Sequence, residues 1–161
     1  MSEPEKRLDA IIEKLRAKGH KITPQRLAIA EILAKSRGHP NVEVIYEQLK
    51  PEHPSLSLAT VYRNVMLMKS LDEVLEIVFP DGSNRYDGNK PYPHPHVICG
   101  RCGRIMEPDL NTLEDMTREV IQQTDFTILT HQLLFFGICH DCKKTTGTDT
   151  PKNNGNKEIQ S

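Results

Sequence analysis

Two Cys-x-x-Cys pairs are the clearest candidates for metal ligation in the sequence. Cys99 and Cys102 form the first pair, and Cys139 and Cys142 form the second. Each pair places two thiolates on one side of a tight turn, and four thiolates are the preferred tetrahedral ligand set of a structural zinc ion. Redox pairs or four unrelated thiols are the alternatives, as is His140 in place of one cysteine. We expect a closed zinc site without a catalytic role.

A His-x-His stretch precedes the first cysteine pair. His94 and His96 alternate in an extended segment, so their side chains point the same way. Asp87 and Glu107 lie on strands predicted on either side of this stretch. The pattern fits a second metal site, although surface loops also carry such histidine pairs. His39, far upstream in a Gly-His-Pro turn, is by itself typical of a loop or capping residue.

The elements that must position these side chains begin with a helical half. Apolar residues at helical spacing, with breaks at Gly19, Pro40 and Pro51, predict three helices before residue 52. A fourth is predicted over 58–69, and alternating residues then predict a hairpin of strands 74–79 and 84–87. Helices followed by a hairpin are the order of a winged helix-turn-helix.

The second half has the pattern of a smaller mixed domain. The Gly- and Pro-rich segment from Gly88 to Pro95 is interpreted as a hinge. Beyond it the patterns predict strands near 96–99 and 104–107, a helix over about 110–123 and two strands within 126–138. The predicted fold class is α+β, with a winged-helix domain over 1–87, an α/β domain with a four-cysteine zinc site over 88–144, and a disordered tail over 145–161.

Composition excludes several classes of protein. No apolar run is long enough to span a membrane, the N-terminus lacks a secretion signal, and four cysteines do not make a secreted disulfide scaffold. We therefore expect a cytoplasmic protein without a membrane partner. The net charge of −1 hides a formal charge of +4 over residues 1–70 and −5 over 71–161. That asymmetry fits a first half that binds a polyanion, or chance scatter on a solvated surface.

The fourth predicted helix is the candidate recognition helix for DNA. Side chains that can reach phosphates or base edges cluster at its start, namely Ser57, Thr60, Tyr62 and Arg63. Lys14, Lys21 and Arg26 are candidates for contacts with the phosphate backbone. The alternative for Tyr62 is a core position beside Val61.

Several ordered motifs carry a resemblance to a known family. They are Thr23-Pro24-Gln25-Arg26, His39-Pro40, Leu58-Ala59-Thr60-Val61-Tyr62-Arg63, Arg85-Tyr86-Asp87, His94-x-His96-x-x-Cys99-x-x-Cys102-Gly103 and His131-x-Leu133-x-x-x-Gly137-x-Cys139. Together they resemble the ferric uptake regulator (Fur) family of transcriptional repressors from about residue 8 to residue 143.

The resemblance implies a regulatory metal site with five ligands: His39, Asp87, His94, His96 and Glu107. Three imidazoles and two carboxylates suit Fe(II) or Mn(II), and no thiolate is present to favour copper(I). His39 belongs to the DNA-binding half and Glu107 to the dimerisation half. The metal is therefore expected to clamp the two halves, favouring the form in which a homodimer binds a pseudo-palindromic, A·T-rich operator.

Two departures from the family pattern concern the signal. A third metal site found in many members would fall here on Pro93, Pro95, Glu114 and His131, and prolines cannot ligate through a side chain, so we expect it to be missing or weak. Glu107 resembles the iron-sensing branch, because the peroxide-sensing branch (PerR) typically has Asp there. The missing third site favours the peroxide-sensing branch, which would control peroxide-stress genes rather than iron uptake.

Other functions remain as alternatives. A zinc-uptake or manganese regulator fits the same motifs. A mononuclear metal hydrolase or oxygenase built on His94, His96 and a carboxylate would need an open ligand position and a general base, and no candidate nucleophile lies nearby in the sequence. A zinc-ribbon interaction module without a DNA role would not explain the basic winged-helix half. We expect a protein that is not an enzyme.

Overall fold

The structure is a computed structural model that describes residues 2–79, 82–110 and 112–145. Its elements, in chain order, are α1 Glu3–Ala17, α2 Pro24–Lys35, α3 Val42–Leu49, α4 Leu58–Ser70, β1 Leu75–Ile77, β2 Arg85–Asp87, β3 His96–Cys99, β4 Ile105–Met106, α5 Leu113–Thr124, β5 Leu134–Gly137 and α6 His140–Lys144. This order confirms the α+β class and the predicted succession of four helices and a hairpin.

Side-chain caps fix where the N-terminal helices begin. The side chains of Thr23, Asn41 and Ser57 accept hydrogen bonds from backbone N–H groups in the first turns of α2, α3 and α4. Each cap satisfies an N–H group that has no partner within the helix. The apolar faces of the four helices then form one core, which includes the fully buried Ile11, Leu15, Ile29, Leu33, Ile45, Val61, Val65 and Met68.

The wing is a short antiparallel hairpin in which Leu75 pairs with Asp87 and Ile77 with Arg85. Both strands are shorter than the predicted 74–79 and 84–87. The ladder stops because side-chain oxygens take the next backbone donors: Val78 N–H donates to Gln132 Oε1 at 3.4 Å, and Phe79 N–H donates to Asn84 Oδ1 at 3.2 Å.

The second half contains a three-stranded sheet with the order β4-β3-β5. β3 is antiparallel to β4 and parallel to β5. The prediction of two strands within 126–138 is wrong in part, because only β5 forms there. Among the described residues, the stretch before β5 has no neighbouring strand to supply hydrogen bonds, and Leu129 within it is 92% exposed. The predicted helix over 110–123 forms as α5, with Thr112 at its N-cap.

The segment after the wing is held tightly against the N-terminal helices. Arg7 of α1 donates from Nε to the Gly88 carbonyl at 2.6 Å, and its other nitrogens bind the carboxylate and carbonyl of Glu73. A Cβ on Gly88 would lie 2.7 Å from Leu33 Cβ, so α2 and this segment approach too closely for any side chain. The domain boundary at 87/88 stays a prediction, and the predicted tail lies outside the described residues except for Thr145.

No helix within the described residues is long and apolar enough to cross a membrane.

Candidate metal centres

The four cysteines converge on one point. Their sulfur atoms all lie within 4.8 Å of one another, and Cys102 Sγ is 3.7 Å from Cys139 Sγ. Four sulfurs about 2.3 Å from one zinc ion, at tetrahedral angles, would be about 3.8 Å apart. The spacing therefore fits a structural zinc ion.

The strand and helix ends explain how the two cysteine pairs meet. Cys99 ends β3, beside the β5 strand that leads to Cys139, the N-cap of α6. Cys139 N–H donates to Cys99 Sγ at 3.3 Å, and Arg101 donates to the Cys142 carbonyl at 3.0 Å. Backbone N–H groups from Cys139, Cys102 and Arg101 lower the pKa of Cys99 to about 6. Cys99 is thus ready to ligate as a thiolate.

A second cluster lies where the two halves of the molecule meet. One ligand atom from each of the five predicted residues, His39, Asp87, His94, His96 and Glu107, lies within 4.8 Å of all the others. His39 Nε2 is 3.0 Å from Glu107 Oε1 and 3.3 Å from Asp87 Oδ2. Ligand atoms about 2.1 Å from one ion at right angles would be about 3.0 Å apart. These separations fit a shared divalent ion.

Local backbone structure places each ligand side chain of this cluster. His39 has a left-handed backbone (φ 49°) in the turn after α2, and the next carbonyl, of Pro40, accepts from Tyr86 N–H in β2. Such a strained non-glycine residue is typical of a functional position. Asp87 ends β2, and His96 begins β3. The rings of His94 and His96 are 4.2 Å apart, as the alternation of the segment predicted.

The nitrogen and oxygen atoms of this cluster are suited to a metal ion rather than to one another. His39 Nε2, Asp87 Oδ2, His94 Nε2 and His96 Nε2 are buried and have no hydrogen-bond partner among the described residues. Unpaired buried polar atoms are costly unless something else satisfies them. His94 Nδ1 lies 2.8 Å from the Tyr92 carbonyl, which favours a proton on Nδ1 and leaves Nε2 with its lone pair.

Ionisation states also favour ligation. Burial, reinforced by the neighbouring His94 and His39, lowers the pKa of His96 to about 4, so that its imidazole is neutral near pH 7. Burial opposes ionisation of Asp87, but contacts with His39 and with backbone N–H groups outweigh it and lower the pKa of this carboxyl.

Sequence reasoning missed one residue of this cluster, Lys90. Its ammonium lies 2.5 Å from Glu107 Oε2, and its backbone N–H donates to Asp87 Oδ1 at 3.0 Å. Burial works against the Glu107 carboxylate, yet the Lys90 contact lowers the pKa of that group. The position of Lys90 between Asp87 and His94 was the available signal, but only the folded turn shows which carboxylate it meets.

The positions of the third site, which was expected to be missing or weak, lie around a cavity that also borders His94 and Glu107 of the regulatory cluster. Pro93, Pro95, Glu114 and His131 all line it. Among the described residues, only the two clusters above bring three or more potential metal ligands together. His131 lies in the stretch before β5, outside the described strands.

The candidate recognition helix presents its first turns to solvent. Tyr62 is 52% exposed while the neighbouring Val61 is fully buried, so the core alternative for Tyr62 is wrong. Thr60 Oγ1 lies 2.9 Å from Ser57 Oγ and accepts from Arg63 at 3.1 Å. The predicted side chains thus share one exposed patch, and a groove separates Tyr62 and Arg63 from the wing.

The three predicted backbone-contact residues differ in their surroundings. Lys21 is exposed and Lys14 partly so. Arg26 donates from Nε to Asn64 Oδ1 at 2.8 Å and from another nitrogen to the Lys21 carbonyl. Arg26 therefore ties the start of α2 to α4, and its contact with DNA stays a prediction.

Comparisons with known proteins agree with this architecture. The model of the ferric uptake regulator family matches residues 17–136. The peroxide-responsive repressor PerR of Staphylococcus epidermidis is 38% identical over 140 residues, covering 85% of this chain and 91% of that protein.

Solved structures show the same fold. The Vibrio cholerae ferric uptake regulator superposes with a TM-score of 0.67 and 26% identity, over 79% of this chain and 98% of that one. The Helicobacter pylori regulator Fur, at 23% identity, gives a TM-score of 0.72 over 87% and 93% of the two chains, which bears on the fold alone. With a family model that matches most of its length, this chain belongs to the ferric uptake regulator family.

Proposed function

We propose that this protein is a DNA-binding transcriptional repressor controlled by a regulatory Fe(II) or Mn(II) ion. The observation that carries the proposal is the five-residue cluster of His39, Asp87, His94, His96 and Glu107, whose ligand atoms lie within 4.8 Å of one another. An ion bound there would supply the positive charge that holds two carboxylates and three imidazoles together.

The cluster explains how binding of the ion would act on DNA affinity. His39 follows α2 of the helical half, whereas His96 and Glu107 lie in the second half. Closing these ligands around one ion fixes the angle between the halves. A ligand that binds the closed form better shifts the population toward it. In that form the exposed starts of α4 in two subunits would be spaced for a pseudo-palindromic operator.

A homodimer is supported by the surface of the second half. α5 has no buried residue in the single chain, and β5 is an edge strand. Large apolar side chains exposed there include Met116, Val120, Ile121, Phe126, Leu129, Phe135 and Phe136. An apolar surface of this extent is typical of a protein interface. We propose that a second copy covers it.

Iron or manganese on one side and peroxide on the other are the first two candidate signals. Similarity to the peroxide-responsive repressor PerR favours peroxide, while Glu107 resembles the iron-sensing branch. A zinc-uptake regulator is the remaining alternative within the family. A repressor acts where DNA is, so we propose a cytoplasmic protein without a membrane partner. We also propose that it is not an enzyme, because all five carboxylates and imidazoles of the cluster are assigned as ligands, which leaves none of them to act as a general base.

The test measures the binding of zinc-replete protein to an A·T-rich palindromic duplex by fluorescence anisotropy. Wild type is expected to bind with Mn(II) or, anaerobically, Fe(II), and to dissociate when a chelator is added. His39→Ala should retain zinc but lose metal-dependent binding. His20→Ala, which removes an imidazole outside both clusters, should behave as wild type. A DNA affinity that does not change when Mn(II), Fe(II) or chelator is added would overturn the proposal.

The same assay separates the signals. Hydrogen peroxide added to the Fe(II) and Mn(II) complexes should release DNA only from the Fe(II) complex if the protein senses peroxide, and reloading should not restore binding. If both complexes keep their DNA until chelator is added, the protein is an iron- or manganese-responsive repressor. Activation by Zn(II) alone at the second cluster would identify a zinc-uptake regulator.

A further inference from the structure

The turn from Asp87 to Lys90 hydrogen-bonds one oxygen of each carboxylate of the regulatory cluster. Backbone N–H groups of Asn89 and Lys90 donate to Asp87 Oδ1 at 2.8 and 3.0 Å. The other oxygen, Oδ2, is buried and lies 3.3 Å from His39 Nε2 and 3.4 Å from His94 Nε2. Asp87 therefore offers Oδ2 to an ion and cannot readily offer Oδ1.

The side chain of Lys90 hydrogen-bonds one oxygen of the Glu107 carboxylate. The ammonium lies 2.5 Å from Oε2, which is also 3.7 Å from His94 Nε2, while Oε1 lies 3.0 Å from His39 Nε2. The Lys90 side chain is 41% exposed, so its charge is partly hydrated and can remain beside an ion without the full cost of burial. One residue thus restrains both carboxylates, by its backbone and by its side chain.

We propose that Lys90 is a positioning residue that keeps Glu107 from binding the regulatory ion through both oxygens. Three imidazole nitrogens and two carboxylate oxygens then make five donors. An ion that prefers six ligands would keep one position for a small exogenous ligand. The inference rests on the proposed function and deepens it. Glu107 would ligate the ion through one oxygen, as we expect of the shorter Asp that the peroxide-sensing branch typically has at this position.

Lys90 also changes the charge of the site. Two carboxylates carry −2, and Lys90 offsets one of those charges beside the ion. Removing the ammonium should therefore strengthen the attraction of the cluster for a divalent ion and release Oε2 as a sixth donor. A lysine with a merely structural role would have the opposite effect, since its loss would loosen the turn and weaken metal binding.

The experiment compares zinc-replete wild type with Lys90→Met, Lys90→Arg and Lys69→Met. Lys69→Met is the matched control, because it removes a lysine from another ion pair, with Glu76, outside the cluster. The Mn(II) dissociation constant is measured from the electron paramagnetic resonance of free Mn(II). Access to an open position is measured on anaerobic Fe(II) protein with nitric oxide, from the amplitude of the resonance of the adduct.

Lys90→Met is expected to bind Mn(II) about 10-fold more tightly, because a positive charge near the ion is removed. It is also expected to lose most of the nitric oxide signal. Lys90→Arg keeps the charge and the donors and should resemble wild type, as should Lys69→Met. Unchanged nitric oxide binding in Lys90→Met, or weaker Mn(II) binding, would overturn the inference. If wild type binds Mn(II) at the cluster without any change in DNA affinity, the proposed function fails while the role of Lys90 is still decided by these two measurements.

Discussion

At the scale of single residues, exposure and hydrogen bonding separate functional positions from structural ones. Val61 and Tyr62 are neighbours in α4, but the first is fully buried and the second half exposed. Arg26 and Arg63 are both basic side chains near the proposed DNA surface, yet Arg26 binds Asn64 of another helix whereas Arg63 donates to Thr60 within its own helix. The exposure and the hydrogen-bond partners of each side chain therefore indicate whether it stabilises the fold or is available to DNA.

Tyr62→Ala should weaken operator binding without lowering the stability of the fold. The ring is largely outside the core, so its loss removes little buried apolar surface. We expect the dissociation constant to rise about 10-fold, within the range for a lost base contact, with an unchanged unfolding midpoint. Fluorescence anisotropy and thermal unfolding measure the two effects. Val44→Ala, which truncates a 43% exposed side chain in α3, should change neither. A large drop in the midpoint would place Tyr62 in the core after all.

At the scale of elements, the wing depends on one carboxylate. Glu76 in β1 accepts from Asn84 at 2.9 Å and Tyr86 at 3.3 Å and pairs with Lys69. Burial raises the pKa of this carboxyl, but these partners outweigh burial and lower it. The ionised form is therefore the one that stabilises the hairpin.

Glu76→Gln should flatten the dependence of stability on acid pH. Because the folded pKa of Glu76 lies below its unfolded value, its contribution is complete above the unfolded pKa and is lost as pH falls through the folded one. Wild type should lose more stability than Glu76→Gln between about pH 5 and pH 3. Urea unfolding across this range provides the measurement. Parallel curves for the two proteins would contradict the prediction.

The close approach of α2 to the segment after β2 makes a second prediction at this scale. Gly88→Ala would place a methyl group 2.7 Å from Leu33 Cβ. We expect a loss of about 1–3 kcal/mol in the free energy of unfolding, the usual cost of overpacking. Gly38→Ala is the control, because its added Cβ meets nothing within 4 Å. Equal stability of the two variants in urea would show that α2 moves aside.

At the scale of the whole molecule, the two halves differ in how completely they bury themselves. The helical half has a continuous core, whereas α5 has no buried residue and Leu129 is almost fully exposed. The charges divide in the same way, +4 before residue 71 and −5 after it. A first half that meets DNA and a second half that meets its own copy would account for both contrasts.

Leu129→Glu tests the proposed dimer. In a single chain this side chain contacts little, so the substitution should leave the monomer fold intact. In a dimer it would bury a charge, and we expect the dissociation constant of the dimer to rise at least about 10-fold, equivalent to about 1.4 kcal/mol. Analytical ultracentrifugation measures it. Val44→Glu, at a 43% exposed position in α3, should not change it. An unchanged dimer in Leu129→Glu would move the interface elsewhere.

Features that depend on local spacing could be predicted from the sequence alone. The four helices, the hairpin and the paired cysteines follow from short-range periodicity and turn chemistry. The resemblance to a family also singled out His39, which no local pattern distinguishes from an ordinary loop histidine.

Contacts between side chains that are distant in the sequence could not be predicted and became evident from the folded structure. The strand predicted before β5 did not form because no neighbouring strand among the described residues pairs with it, and the hairpin ended early because Gln132, distant in sequence, takes the hydrogen bond of Val78. The contact between Lys90 and Glu107 likewise joins residues that are distant in the sequence. A contact between residues 17 positions apart depends on how the turn and the sheet are packed, and no periodicity in the sequence records it.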